Sequence, residues 1–165
     1  MRPTADEVME TVLSTFDEHI LPNVAPGLPN SLAITTRNLL RHVQLRLRLE
    51  AKALWEDNEE LRLLLAAIAD YAGDAEDLAE LAHDITTGAA AAAAVGFRGL
   101  AELSDEAGRL RWILSRAIEG LQQARQIHGR EHAYLTLRAR VRTYLNHQLD
   151  REAAWIEPAF VGPRR

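Results

Sequence analysis

A chain of 165 residues with a formal net charge of −5, no cysteine and 5% aromatic residues excludes several function classes at once. The acidic balance argues against general nucleic-acid binding, whose electrostatic footprint is basic, and the absence of cysteine removes disulfide frameworks, thiolate zinc sites and cysteine nucleophiles. The length fits one domain, and the dominance of Leu and Ala in the hydrophobic content favours helix over strand; the expected fold class is all-α, a bundle of five or six mostly antiparallel helices over 1–157 with a loose tail at 158–165.

Thr4 followed by Glu7 is a capping box, which predicts a first helix over about 5–21 with Val8, Val12, Phe16 and Ile20 facing inward. Pro22, Pro26, Gly27 and Pro29 predict a stiff connection. Asn30 or Ser31 then caps the longest amphipathic stretch, Ser31 to Leu54, on which Leu32, Leu39, Leu40, Val43, Leu47 and Leu54 share one face. Trp55 to Asp57 reads as a turn, with Asp57 capping a helix to about Ala72 whose stripe is Leu61, Leu64, Leu65 and Ile68. Gly73 is a stop. Asp74 caps a short helix over about 75–87, buried through Leu78, Leu81, Ala82 and Ile85, which Gly88 ends. The Ala-rich segment 88–99 reads as a linker or thin helix, a soft boundary within the single domain and a plausible surface for self-association into a homo-oligomer. A helix from about Ser104 to His128 follows, with Leu110, Ile113, Leu114, Ala117, Leu121 and Ala124 aligned and Trp112 pointing away from them. Gly129 turns the chain into a last helix with Tyr134, Leu137, Val141, Tyr144, Leu145 and Leu149 inward. Without a leader-like N-terminus, or an apolar run approaching the ~20 residues that span a bilayer, the expected location is cytoplasmic and no membrane is expected as a partner.

The polar residues that need explaining lie on the Ser31–Leu54 stretch. Glu50 falls on its apolar face, with Arg46 one turn earlier in the i, i+4 relation that lets two side chains meet. A carboxylate on a core-facing stripe requires a partner. Two readings stay open for Asn38, His42, Arg46 and Glu50. In the first, Arg46 and Glu50 form a register-fixing pair; in the second, the four residues line a ligand pocket between helices. Arg37, Arg41, Arg48 and Lys52 form a basic outer face that either complements acidic neighbouring helices or meets a partner, and Trp112 is a second candidate anchor for an interaction surface.

Catalytic motifs are thin. Glu80 and His83 form an E-x-x-H of the di-iron type, but the neighbouring stripe turns both toward solvent and the chain holds no second copy. The glycines at 88, 96 and 99 match no phosphate-binding fingerprint, and G-x-S-x-G is absent. No catalytic residue, metal or cofactor is expected, and a metal-dependent ferritin-like enzyme is the remotest alternative.

The opening RPTADEVMETVLSTFDEHILPNV, continued by RNLLRHVQLRLRLE and LWEDNEELRLLLAAI, resembles an uncharacterised bacterial all-helical family of unknown function. The likeness covers roughly residues 2 to 87, through R-P-T-A, the L-P after the first helix and the R-x-x-x-E of Arg46 and Glu50, and LRARVRTYL near Leu137 is also similar. Members are typically encoded beside aminoglycoside-phosphotransferase-like kinases and acyl-CoA dehydrogenases. The resemblance implies no catalytic residues. It implies a non-enzymatic accessory protein linked to acyl-CoA metabolism, docking on a kinase-like or dehydrogenase-like protein; the competing expectation is a helical bundle that binds an acyl compound.

Overall fold

The computed structural model describes residues 2–92, 98–123 and 131–160, with residues 92, 123 and 157–160 described at the backbone alone. The protein is an all-α helical bundle with no strand among the described residues. Its helices are α1 (Ala5–Thr15), α2 (Leu28–Gly73), α3 (Ala79–Ala92), α4 (Leu100–Gln123) and α5 (Glu131–Phe160).

The capping box at α1 is present: the Thr4 hydroxyl accepts from the Glu7 amide at 3.2 Å, and the Glu7 carboxylate accepts from the Thr4 amide at 2.7 Å. Such caps stabilise a helix start by about 1 kcal/mol. The chain continues through a π turn, Phe16–Ile20, and a 3₁₀ turn, Leu21–Asn23. Gly27 then adopts φ +91°, the left-handed conformation glycine accommodates without strain, and its carbonyl accepts from the Ser31 amide at 3.1 Å. Helix α2 therefore starts at Leu28, ahead of the Asn30 or Ser31 cap expected from sequence. Pro29 fits its first turn because an amide there has no intrahelical acceptor.

No turn forms at Trp55–Asp57. The segment holds no glycine or proline, and the Asp57 carboxylate that resembled a cap instead accepts from Arg111 Nη2 at 2.8 Å. α2 runs on to Gly73, the expected stop. Gly88 likewise ends nothing: α3 continues to Ala92, and an added Cβ at Gly88 would lie 2.9 Å from Ile113 Cδ1. Its bareness serves close packing of α3 on α4. α4 begins at Leu100, one turn before the Ser104 start expected. The expected alignment of Ala124, the Gly129 turn and the centre of the Ala-rich segment lie outside the described residues.

Two compact units divide the chain within α2 and α5. The unit formed by Lys52–Leu149 contains the apolar core. There α2 contributes Leu61, Leu64, Leu65, Ile68, Tyr71 and Ala72, joined by Leu78 and by Ile85 of α3. Leu110, Ile113, Leu114, Ala117 and Leu121 of α4 pack with Tyr134, Leu137, Val141 and Tyr144 of α5. These stripes match the periodicity of the sequence, with two exceptions: Leu145 and Leu149 are exposed. From Tyr144 onward α5 meets α2 through polar groups, Tyr144 with Asp57 and His147 with Glu60.

The other unit comprises the chain to Ala51 together with the segment from Asp150. Among its described residues no apolar side chain is buried, and Gln44 alone is. The inward assignments made here from periodicity reverse. Val8, Val12 and Ile20 are exposed, as are Leu32, Leu39, Val43 and Leu47, while Phe16, Leu40 and Met9 are half-buried. α1 and the π turn after it meet α2 through charge: Arg48 Nε donates to Asp6 of α1 at 2.5 Å, and Arg37 Nε pairs with Asp17 of the π turn at 2.6 Å.

Candidate functional site

Asn38, His42, Arg46 and Glu50 do not converge on a cavity. His42 Nδ1 lies 3.2 Å from the Trp155 carbonyl; a carbonyl can only accept, which places the proton on Nδ1. Asn38 is half-buried beside it. Arg46 and Glu50 form the expected pair, with Nε donating to Oε2 at 2.8 Å. Glu50, by hydrogen bonding, holds the Arg46 guanidinium above its usual pKa. Glu50 keeps 15% of its side chain exposed and Arg46 48%, so the pair closes one edge of an open helix face.

The basic outer face of α2 is not free for a partner along its length. Arg37 and Arg48 are occupied by Asp17 and Asp6, whose own carboxylate is held below the ordinary range by the Arg48 hydrogen bond. Arg41 is exposed. Opposite charges on neighbouring segments complement each other here, with α1 supplying Asp6 and the π turn Asp17.

The most highly organised polar group lies in the core-bearing unit, and the reading from sequence did not single it out. Glu106 has no exposed surface. Its carboxylate contacts Arg62 Nη2 and accepts from Arg98 Nη1 at 3.0 Å and Asn58 Nδ2 at 3.3 Å. Arg62 also donates to Glu59 at 2.7 Å. Alongside, buried Asp57 accepts from Arg111 and from the Tyr144 hydroxyl at 3.3 Å. Burial, reinforced by the Asp57 charge, pushes the Tyr144 phenol up to about 12. For Arg111 burial acts to lower the pKa, and the bond to Asp57 outweighs it. Guanidinium groups bear on both carboxylates, those of Arg62 and Arg98 on Glu106 and that of Arg111 on Asp57. The contacts tie α2 to α4 through Arg62 and Asn58 with Glu106 and through Asp57 with Arg111. The signal was present in the sequence: Glu106 falls between Leu103 and Leu110 on the stripe that Ile113 and Ala117 continue, the same criterion that draws attention to Glu50.

An open surface lies between α3 and α4. Trp112 is 64% exposed, as its position opposite the stripe predicts, with Arg116 stacked 5.7 Å from its ring. On either side runs a groove of about 630 Å³, and the two share Gly88, Trp112 and Ile113. One has Leu81, Ile85 and Gly120 in its wall and Asp77, Glu80, Asp84 and Glu119 among its polar residues; the other is lined by Ala91, Ser104 and Gly108 with Asp105 and Arg109. Glu80 and His83 lie exposed in the first groove. Among the described residues no three His, Asp or Glu side chains cluster as metal ligands, and no helix is long and apolar enough to cross a membrane. No family model, curated protein or solved structure matches the chain.

Proposed function

We propose that the protein is a non-enzymatic accessory protein that docks on a partner protein through the α3–α4 surface centred on Trp112. The observation that carries this reading is the tryptophan itself. A large aromatic left 64% exposed between two open grooves with small-residue floors is the arrangement that supplies interface anchors. The acids along one groove favour a partner surface bearing basic residues. The sequence resemblance supports a kinase-like or acyl-CoA dehydrogenase-like partner, and with it a link to acyl-CoA metabolism. The buried ion pairs of Asp57 and Glu106 support a structural rather than a catalytic use of these charges.

The test is a pull-down from a bacterial lysate with the tagged full chain and its Trp112→Ala variant. A stoichiometric kinase-like or dehydrogenase-like protein, weakened about 30-fold or more by the substitution as for an interface hot spot, is the expected result. Retention of that protein by Trp112→Ala overturns the assignment of the surface. A second reading has the same grooves take an acyl compound, since their volume lies within the range of small-molecule sites. An acyl species co-purifying without a protein partner, and lost with Gly108→Leu, favours that reading.

A further inference from the structure

Two of the three faces of α2 over Leu28–Ala51 are occupied. One meets α1 through Gln44 and Arg48 and the π turn through Arg37, and another meets the C-terminal part of α5 where His42 contacts the Trp155 carbonyl. The third face is apolar and open. Leu28 is 72% exposed, Leu32 59%, Leu39 52%, Val43 44% and Leu47 51%.

We infer that this face is the interface of a two-fold symmetric homodimer in which α2 packs antiparallel against α2 of a second copy. Three observations select a second copy as the occupant. The first is spacing: Leu32, Thr36, Leu39 and Val43 alternate at intervals of four and three residues, the seam of a helix that packs on another helix. The seam is self-complementary. A two-fold axis crossing between Thr36 and Leu39 sets Leu32 of each copy against Val43 of the other, and Thr36 against Leu39, as an isologous contact requires.

The second observation is polarity. The Thr36 hydroxyl donates to the Leu32 carbonyl at 2.9 Å and that of Thr35 to the Ser31 carbonyl at 2.9 Å, so neither needs a partner across the seam. Arg46 and Glu50 neutralise each other at its edge. A face with no net charge of its own selects by shape and apolarity rather than by attraction to an oppositely charged partner. The third is size. Five large aliphatic side chains at about half exposure present on the order of 500 Å² of apolar surface, the upper end of what monomers leave open and a large part of the ~800 Å² that each partner buries in a stable interface.

The chain contains no cysteine, which allows a direct test of register in the full-length protein. In a Leu32→Cys, Val43→Cys double variant the two sulfurs of one chain lie about 16 Å apart along the helix, too far to bridge. The dimer places each beside its counterpart in the other copy. The expected result is a sedimentation mass twice the 18.4 kDa of the chain, a covalent dimer on mild oxidation of the double variant but of neither single variant, and association weakened at least tenfold by Leu39→Glu with the circular dichroism retained. A monomer throughout the concentration series, a dimer indifferent to Leu39→Glu, or cross-linking by the single variants to the same extent overturns the inference. Trp112→Ala leaves the dimer intact, so loss of partner binding and loss of dimerisation are read separately.

Discussion

Glu50 and Glu106 both lie on apolar helical stripes opposite arginines, and their exposure separates what each is worth. Arg46 stays half in water, where an ion pair contributes about 0–1 kcal/mol, so Glu50→Ala is expected to cost under about 1 kcal/mol in urea unfolding. Glu106 has no contact with solvent, and its loss leaves Arg62 and Arg98 facing each other around the Asn58 amide. Breaking one half of a buried pair costs about 3–5 kcal/mol, so Glu106→Ala is expected to fall near 3 kcal/mol, the lower end, because both arginines retain 20% exposure. Equal midpoints for the two variants would show that the Glu106 network is not a stability element. Tyr144 adds a pH dependence with a definite sign. Its phenol titrates at about 12 in the folded chain and near 10 unfolded. The folded state therefore binds the extra proton between those values, and stability present below pH 10 is lost as pH rises toward 12. Thermal melts across that range are expected to fall steeply for the native chain and less steeply for Tyr144→Phe; parallel curves would mean that another group governs alkaline unfolding.

At the scale of elements, glycine in α4 has two opposite uses. Gly108 has nothing within 4 Å of where a Cβ would sit, whereas at Gly120 the Leu81 Cδ2 lies 2.6 Å away and Cδ1 3.1 Å. Alanine removes the backbone-entropy penalty of glycine within a helix, about 1 kcal/mol. Gly108→Ala is expected to raise the unfolding free energy by that amount. At Gly120→Ala the displaced Leu81 offsets it, with overpacking costing about 1–3 kcal/mol, so the expected net change is destabilising; two stabilised variants would place α3 farther from α4 than the structure does. The same packing explains what the sequence could not reveal. Gly88 and Asp57 carry the signatures of a stop and a cap, and both are used instead for tertiary contacts, with Ile113 and with Arg111. Local signals at 54–60 and at 88 contradict a continuous helix, while the stripes Leu61–Ile68 and Leu110–Leu121 were legible because 3.6-residue periodicity reports burial directly. That periodicity does not report what does the burying. The stripe Leu32–Leu47 is as regular as any in the chain and is exposed. The polar set on α2 was legible as pairs, Arg46 with Glu50, but their failure to converge depends on the open face, which no spacing encodes.

At the scale of the whole molecule the division at Ala51/Lys52 falls inside a single helix. C-terminal to it, α2 contributes Leu61, Leu64, Leu65 and Ile68 to the core; N-terminal to it, no described apolar residue of α2 is buried. Helical hydrogen bonds alone are marginal in water, and most helix stability in proteins comes from the packed face. Local opening free energies follow burial, from near zero at exposed segments to the global value in the core. Amide exchange along α2 is therefore expected to show a step: amides at 28–51 exchange through local opening, orders of magnitude faster than those at 58–72, which wait for global unfolding. The step also couples to association, because covering Leu32, Leu39 and Val43 gives the N-terminal stretch the packed face it lacks. Raising the protein concentration is expected to slow exchange at 28–51 and leave 58–72 unchanged, and Leu39→Glu is expected to abolish that concentration dependence. Uniform protection along α2 in dilute solution would mean that its first half is held by something other than a second copy.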